Sequence, residues 1–492
     1  MAAKVEKTIS KQIVDACQPN RARDIYCIGS FGHFVNFSAQ QHRALNLAWA
    51  LHKEDRLDNT KAIAVIGGGL TGVTLAAALV RGGYTVHLFE HRKELMAHQL
   101  STDHRLVHPA INSWPFVPMI PSSSLPFLNW VSGPCSKVVS GLLREFEEMA
   151  EQTDRLQIFR DLEISNVDDG LEGLVLSHKG AVTGTRYGCV VLAVGFGDEK
   201  EEESFPAISY WHPDGIEHQT LTQDIQYFLV SGCGDGGLID ALRVIHRDFD
   251  KGGLIFETAY ALDGTAVAEM ILAHSDSGRG SNKKAVYIDA ARMIASDPSY
   301  ANLQKTLVRS AGLKRPVVRL SARNGTDPFL SNAAPVHKLM IAHAMLSDRI
   351  LYSQGTLVRN GNGVQVGRNK YDAPNTKIVV RHGPNGNPIQ RFCSQEEITF
   401  LRREQEDLED VLSKKSWTEP YLDAANETVG TRAERLHRQA VRAIKLICPE
   451  ASVSAGNRGF QIVLPKSADL KRIPHELFGI PVKIRATRKS GG

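Results

Sequence analysis

Residues 61–90, KAIAVIGGGLTGVTLAAALVRGGYTVHLFE, constrain the fold more than any other stretch of this 492-residue chain. The segment opens on Ala62–Ile66, short, apolar and rich in β-branched side chains, which predicts a buried parallel strand. Gly67-x-Gly69-x-x-Gly72 follows, and Leu70 and Thr71 open an Ala/Leu-rich helix that runs to about Arg81. Gly82 and Gly83 stop the helix, and a second strand, 85–89, ends in Glu90. Each part has a mechanical reason. Gly67 permits the tight turn, Gly69 lets a diphosphate approach the backbone, and Gly72 lets helix and strand pack closely. The diphosphate then rests on free N–H groups at a helix N-terminus, where the dipole favours an anion. Glu90, 23 residues after Gly67, stands where a carboxylate accepts ribose hydroxyls. A glycine-rich turn alone would be compatible with many α/β proteins. Strand, turn, helix and acid in this order specify dinucleotide binding, and the acid argues against a 2′-phosphate at this site.

Hydrophobic residues make up 42% of the chain and charged residues 23%, which excludes a disordered or collagen-like protein. At this length two to four domains are expected. Seven scattered cysteines (17, 27, 135, 189, 233, 393, 448) contain no C-x-x-C pair, which fits a reducing compartment and excludes a zinc ribbon. The N-terminus lacks a signal-peptide core and no apolar run approaches a membrane span, so a soluble, cytoplasmic protein is expected. His337 and His343 are six apart and do not share a helix face, so no metal is expected.

The glycine pattern recurs. Residues 185–197, TRYGCVVLAVGFG, form an apolar strand ending in Ala193-Val194-Gly195, and 37 residues after Gly195 comes Gly232-x-Gly234-x-x-Gly237 within IQYFLVSGCGDGGLIDALRVI. Glu257 stands 25 residues after Gly232, at the end of an apolar run, 254–257. These segments together resemble the flavoprotein class with two dinucleotide-binding domains, of thioredoxin-reductase and flavin-monooxygenase architecture. The resemblance implies an α/β fold: a Rossmann-type FAD domain with an inserted second nucleotide-type domain, plus a small C-terminal α/β module. It implies FAD as cofactor, with NAD or NADP as a second. Three readings of the second loop stay open: a nicotinamide site, which Glu257 would tilt towards NAD; an element in which Asp235 contacts the flavin ribityl chain; or a turn that binds nothing.

In such a class the stretch after the ribose acid returns along the flavin. Here 94–116 is dense in His98, Gln99, Arg105, His108 and Trp114. Arg105 is a candidate contact to the diphosphate or to the flavin carbonyl edge, His108 a candidate proton donor, and Gln99 a candidate cofactor contact. Ser38 reads as a helix N-cap with Gln41 at N3, after a strand or hairpin at 34–37; Gln40, Gln41 and Arg43 lie within conceivable reach of the cofactor. The run 198–203, DEKEEE, reads as a solvent-facing loop. Residues 301–350 read as helical. Strand 377–383, ending in Arg381-His382-Gly383, reads as the return to the FAD domain, which makes Arg381 a candidate cofactor contact.

The expected organisation is an N-terminal extension (1–60), a first FAD segment (61–197), a second nucleotide-type and helical region (198–350), a return (351–393), a charged helix and linker (394–430), and a basic module (431–492). The module carries 13 Lys and Arg against 4 Asp and Glu. Without aromatic interleaving its charge reads as solvated rather than nucleic-acid-binding; it is a candidate surface for a protein partner. The functional expectation is an FAD-dependent oxidoreductase reduced by NAD(P)H, passing electrons to O₂ or an organic substrate of unknown identity. The rival is an FAD-binding sensing or assembly protein with little turnover.

Overall fold

The computed structural model describes residues 8–418 apart from 33–34, 198, 202–204, 217–224, 247–248, 250–252, 276–282, 311–316, 323–326 and 385–386. Beyond 418 it describes 437, 440–441, 444, 448, 450–456, 459–465, 476–477 and 480–486.

The first unit is built on β2 (Ala62–Ile66), α3 (Leu70–Arg81) and β3 (Val86–Phe89), followed by α4 (Cys135–Glu151) and β4 (Leu156–Phe159). An antiparallel meander, β5 (Asn166–Gly170), β6 (Gly173–His178) and β7 (Ala181–Val182), leads into β8 (Tyr187–Leu192). The parallel order is β4-β3-β2-β8. One more parallel strand, β1 (Ile25–Cys27), extends the sheet beyond β8. Strands this apolar survive only when both faces are covered. Here α1 (Ile9–Cys17), α2 (Phe37–Lys53), α3 and α4 cover one face, and the meander with residues 389–401 covers the other.

The second unit repeats the first. It runs β9 (Tyr227–Ser231), α5 (Asp235–Ile245), β10 (Val317–Ala322), α10 (Pro335–Met345), β11 (Ile350–Gln354), a three-stranded meander (β12 Leu357–Asn360, β13 Gly363–Val366, β14 Asn369–Asp372) and β15 (Thr376–Val380). Its parallel order is β11-β10-β9-β15, the same topology strand for strand. Between α5 and β10 lies a helical insertion, α6 (Leu254–Leu262), α7 (Ala266–Ser275), α8 (Lys283–Ser296) and α9 (Ala301–Ser310).

Several expectations change. Glu257 does not end a strand; 254–257 are the first turn of α6, and β10 supplies the second strand instead. Length decided against the sequence reading, since a four-residue apolar run fits a buried helix equally well. The region 301–350 is mixed rather than helical, with β10 inside it. Strand β15 pairs with β9 and completes the second sheet, so it does not return to the first. The N-cap of α2 is Asn36, whose Oδ1 accepts from Ala39 N at 2.9 Å, so Phe37 opens the helix rather than closing a strand.

The return to the first unit comes later, through α11 (Gln395–Asp407) and α12 (Glu409–Leu412), two helices broken at Leu408 where one was expected. The Arg43 guanidinium, fully buried on α2, meets Glu409 at 2.5 Å. Asn46, also on α2, donates to the carbonyls of 411, 412 and 414 and accepts from the amides of 416 and 417. In the C-terminal module the described strands include Ser452–Gly456, Gly459–Leu464 and Ile480–Ala486, the first two antiparallel and the last two parallel. Val131 of the first unit shares a core with Ile444, Phe460, Ile462 and Leu464 of the module.

Candidate functional site

The two glycine loops are built alike. At the first, Gly67 N donates to Phe89 O at 2.8 Å and Ala193 N to Ile66 O at 2.8 Å. At the second, Gly232 N donates to Ser321 O at 2.8 Å and Arg381 N to Ser231 O at 2.7 Å. A Cβ at Gly67 would collide with the Ala193 carbonyl, and one at Gly232 with the Arg381 carbonyl. Likewise Gly72 sits against the Gly67 carbonyl and Gly237 against that of Gly232. Only glycine permits these approaches, and the φ angles of Gly67 (+113°) and Gly232 (+125°) demand it as well. Gly69 and Gly234 face open space, and neither α3 nor α5 has a side-chain cap. Two helix N-termini therefore present uncapped N–H groups, which is what a phosphate group requires.

Both loops open into one cleft of about 1470 Å³. Its lining includes Gly67, Gly69, Leu70, Thr71, Glu90, Gln99, Gly195, Gly232, Gly234, Asp235 and Arg381, while Gly72 and Gly237 lie behind it at the helix–strand contacts. Glu90 is buried at the rim of the first loop, its Oε2 accepting from Gly68 N at 2.7 Å and its Oε1 from Arg92 N at 2.8 Å. The equivalent register position of the second unit holds Ala322, with Arg323 next in the sequence. The register position that holds the ribose carboxylate in the first unit is thus an alanine in the second. Arg381-His382-Gly383 is the counterpart of Ala193-Val194-Gly195, and the closing glycines share φ values of +75° and +76°.

Three of the candidates have other partners. Arg105 is 1% exposed; Nη1 reaches Asp240 at 2.5 Å, Nε donates to the Tyr210 carbonyl at 3.0 Å, and the guanidinium lies over the Tyr210 ring. Arg381 joins the same cluster through Asp240 at 2.7 Å, and Arg243 through Asp214 at 2.8 Å and Asp240 at 3.0 Å. Three arginines and two aspartates knit the first unit, the linker and the second unit together, so the donors of Arg105 and Arg381, both of which line the cleft, are engaged by protein groups. His108 is buried with both nitrogens engaged: Ala110 N donates to Nδ1, and Nε2 pairs with the Tyr260 hydroxyl at 3.0 Å. Burial pushes its imidazole down to about 3, so it stays neutral near pH 7 and does not serve as the expected proton donor.

Asp235 opens α5 and bonds His337 Nδ1 at 2.5 Å, Ala334 N at 2.7 Å and Asn112 Nδ2 at 2.8 Å. Burial alone would raise its carboxyl, but His337, the Ala334 amide and Asn112 together outweigh that and hold it below the usual range. Asp235 thus ties α5 to the N-terminus of α10. The loop follows the first strand of a second parallel sheet, as the first loop follows β2 in its own.

Sequence reasoning missed Glu199. Assigned to a solvent-facing loop, it is half-buried, lines the cleft and bridges to Pro384. Burial raises its carboxyl, against the opposing pull of Arg381. No pattern in DEKEEE distinguishes this glutamate from its neighbours, because the pairing that buries it is nearly 190 residues away.

Residues 20–107 match the family described as pyridine nucleotide-disulphide oxidoreductase. The match covers β1 through the first glycine loop and on to Val107, so the N-terminal strand belongs to it. Among solved structures the chain resembles bacillithiol disulfide reductase from Staphylococcus aureus (11% identity, TM-score 0.37, 86% of this chain and 88% of that one). It also resembles thioredoxin reductase of T. acidophilum (11%, TM-score 0.29, 65% and 76%) and the FAD-bound form of OTEMO (10%, TM-score 0.36, 68% and 73%). No curated protein matches. Among the described residues no helix is long and apolar enough to cross a membrane.

Proposed function

We propose that the protein is an FAD-dependent oxidoreductase, with FAD on the 67–72 loop and a reduced nicotinamide dinucleotide on the 232–237 loop. One observation carries this reading: two units with the same order of four parallel strands turn their uncapped glycine loops into a single cleft. The residues present suit both groups, since each loop offers free N–H donors, open space at its middle glycine and a helix dipole. The bound flavin would supply the redox chemistry; the chain orients the two nucleotides and shields them from water.

The absence of a carboxylate at Ala322 favours NADPH over NADH, which replaces the sequence-based tilt to NAD. A dithiol relay finds no support among the chain's own residues. All seven cysteines are free, and burial pushes the Cys233 thiol up to about 12 and that of Cys135 higher still. Thiols held protonated are poor nucleophiles, so electrons are expected to leave directly to a diffusible acceptor.

Anaerobic mixing of the purified flavoprotein with NADPH or NADH tests the reading. Rapid bleaching of the flavin band, faster with NADPH, is expected. No bleaching with either nucleotide refutes the nicotinamide assignment.

A further inference from the structure

Strand β1 stands at the far side of β8 from β2, and its carboxyl end carries the chain over the first glycine loop. There Gly29, at φ +76°, touches two side chains: a Cβ on it would lie 2.7 Å from Thr71 Oγ1 and 2.9 Å from Gln40 Oε1. Thr71 belongs to the first turn of α3; Gln40 belongs to the first turn of α2. The Thr71 hydroxyl donates to Gln40 Oε1 at 2.8 Å, which fixes the carboxamide beside the uncapped helix end.

Gln40 is 8% exposed and lines the cleft with Gly67, Gly69 and Thr71. Its Nε2 meets no acceptor among the described residues. Burying a donor without a partner is costly, so a buried amide N–H of this kind calls for an acceptor that the protein itself does not provide. In a parallel sheet of this order, ligands lie outside the carboxyl ends of the strands, across the switch from β2 to β8. Gln40 stands at that place, on the side away from Glu90.

We propose that Gln40 is a dinucleotide-holding residue, its Nε2–H donating to a phosphoryl oxygen of the FAD bound at the first loop. The N-terminal segment then does more than extend the sheet: it closes the diphosphate site from outside the strand–helix–strand unit. Being neutral, the carboxamide adds a directed donor without a counter-charge. The assignment rests on the flavin reading above.

Gln40→Leu keeps the volume and removes the donor; Gln40→Glu faces the diphosphate with an anion. Full-length holoprotein of each is compared with wild type by FAD equilibrium dialysis, by ³¹P spectra of the bound FAD and by melting of the FAD-free protein. Gln40→Leu is expected to weaken FAD binding by about 10- to 100-fold, with Gln40→Glu weaker still. One ³¹P resonance should move in Gln40→Leu, while the FAD-free variant melts close to wild type, since the unmet donor and the acceptor of the Thr71 hydroxyl are removed together. Unchanged FAD affinity and ³¹P shifts in Gln40→Leu overturn the assignment, as does a lowered FAD-free melting point with affinity intact. Wild-type protein that neither carries nor takes up FAD overturns the flavin reading instead, and this assignment with it.

Discussion

Removing one carboxylate from the cluster between the two units should be among the most damaging single-atom changes in the molecule. Asp240 is fully buried, and its two oxygens receive Arg105 at 2.5 Å, Arg243 at 3.0 Å and Arg381 at 2.7 Å. With Asp214 the cluster holds three positive charges against two negative ones. Asp240→Asn leaves three guanidiniums facing a single carboxylate, and Asp214 already accepts from all three. Breaking a buried pair from one side costs about 3–5 kcal/mol, because the partner charge stays buried without compensation. For a unit of 150–250 residues that corresponds to a fall in Tm of roughly 6–20 °C. Burial by itself would raise the Asp240 carboxyl, but the arginines, Arg105 foremost, hold it far below the usual range. A carboxyl depressed on folding contributes stability above its unfolded pKa of about 4, which is lost only as pH falls towards the folded value. The wild type should therefore keep this contribution at pH 5 and above, and Asp240→Asn should lack it there. Calorimetry of both proteins at neutral pH is the assay. A loss below about 1 kcal/mol, the worth of an exposed pair, would refute the view that this cluster clamps the units.

Two further outcomes are expected. His108 is held neutral by burial, so its imidazole, pushed down to about 3, makes the folded state lose stability as pH drops below about 6.5, by up to about 1.4 kcal/mol per pH unit. His108→Gln should flatten that slope in denaturant titrations between pH 6.5 and 4, and parallel slopes would contradict the reading. Gly69→Ala and Gly234→Ala place a methyl in open space and should leave the melting of ligand-free protein unchanged. Gly69→Ala should lower FAD retention about tenfold or more, whereas Gly234→Ala should spare FAD and slow reduction by NADPH; equal effects on both ligands would show that the loops are not separate sites.

How much of this was legible in the sequence depends on whether the determinant was local. The first glycine loop could be read because turn, helix start and ribose acid lie within thirty residues and each is forced by backbone geometry. The second loop could be read as far as α5, and there it misled: a 254–310 insertion separates helix from strand, so the spacing rule landed on Glu257 in a helix instead of Ala322 at the end of β10. Arg381 was singled out for a strand drawn at 377–383; the strand runs from Thr376 to Val380, leaving Arg381 just past its end, and its non-local pairing assigned it to β9. Arg105 and His108 show the same limit in chemistry. Their density in one loop suggested a reactive surface, yet what decides their roles is Asp240, 135 residues away, and Tyr260, 152 residues away. The topology therefore explains the errors. When an α/β unit is duplicated and then interrupted, the residues that touch a bound diphosphate remain next to one another in sequence, while those that neutralise charge or bury a histidine are brought in from the other copy.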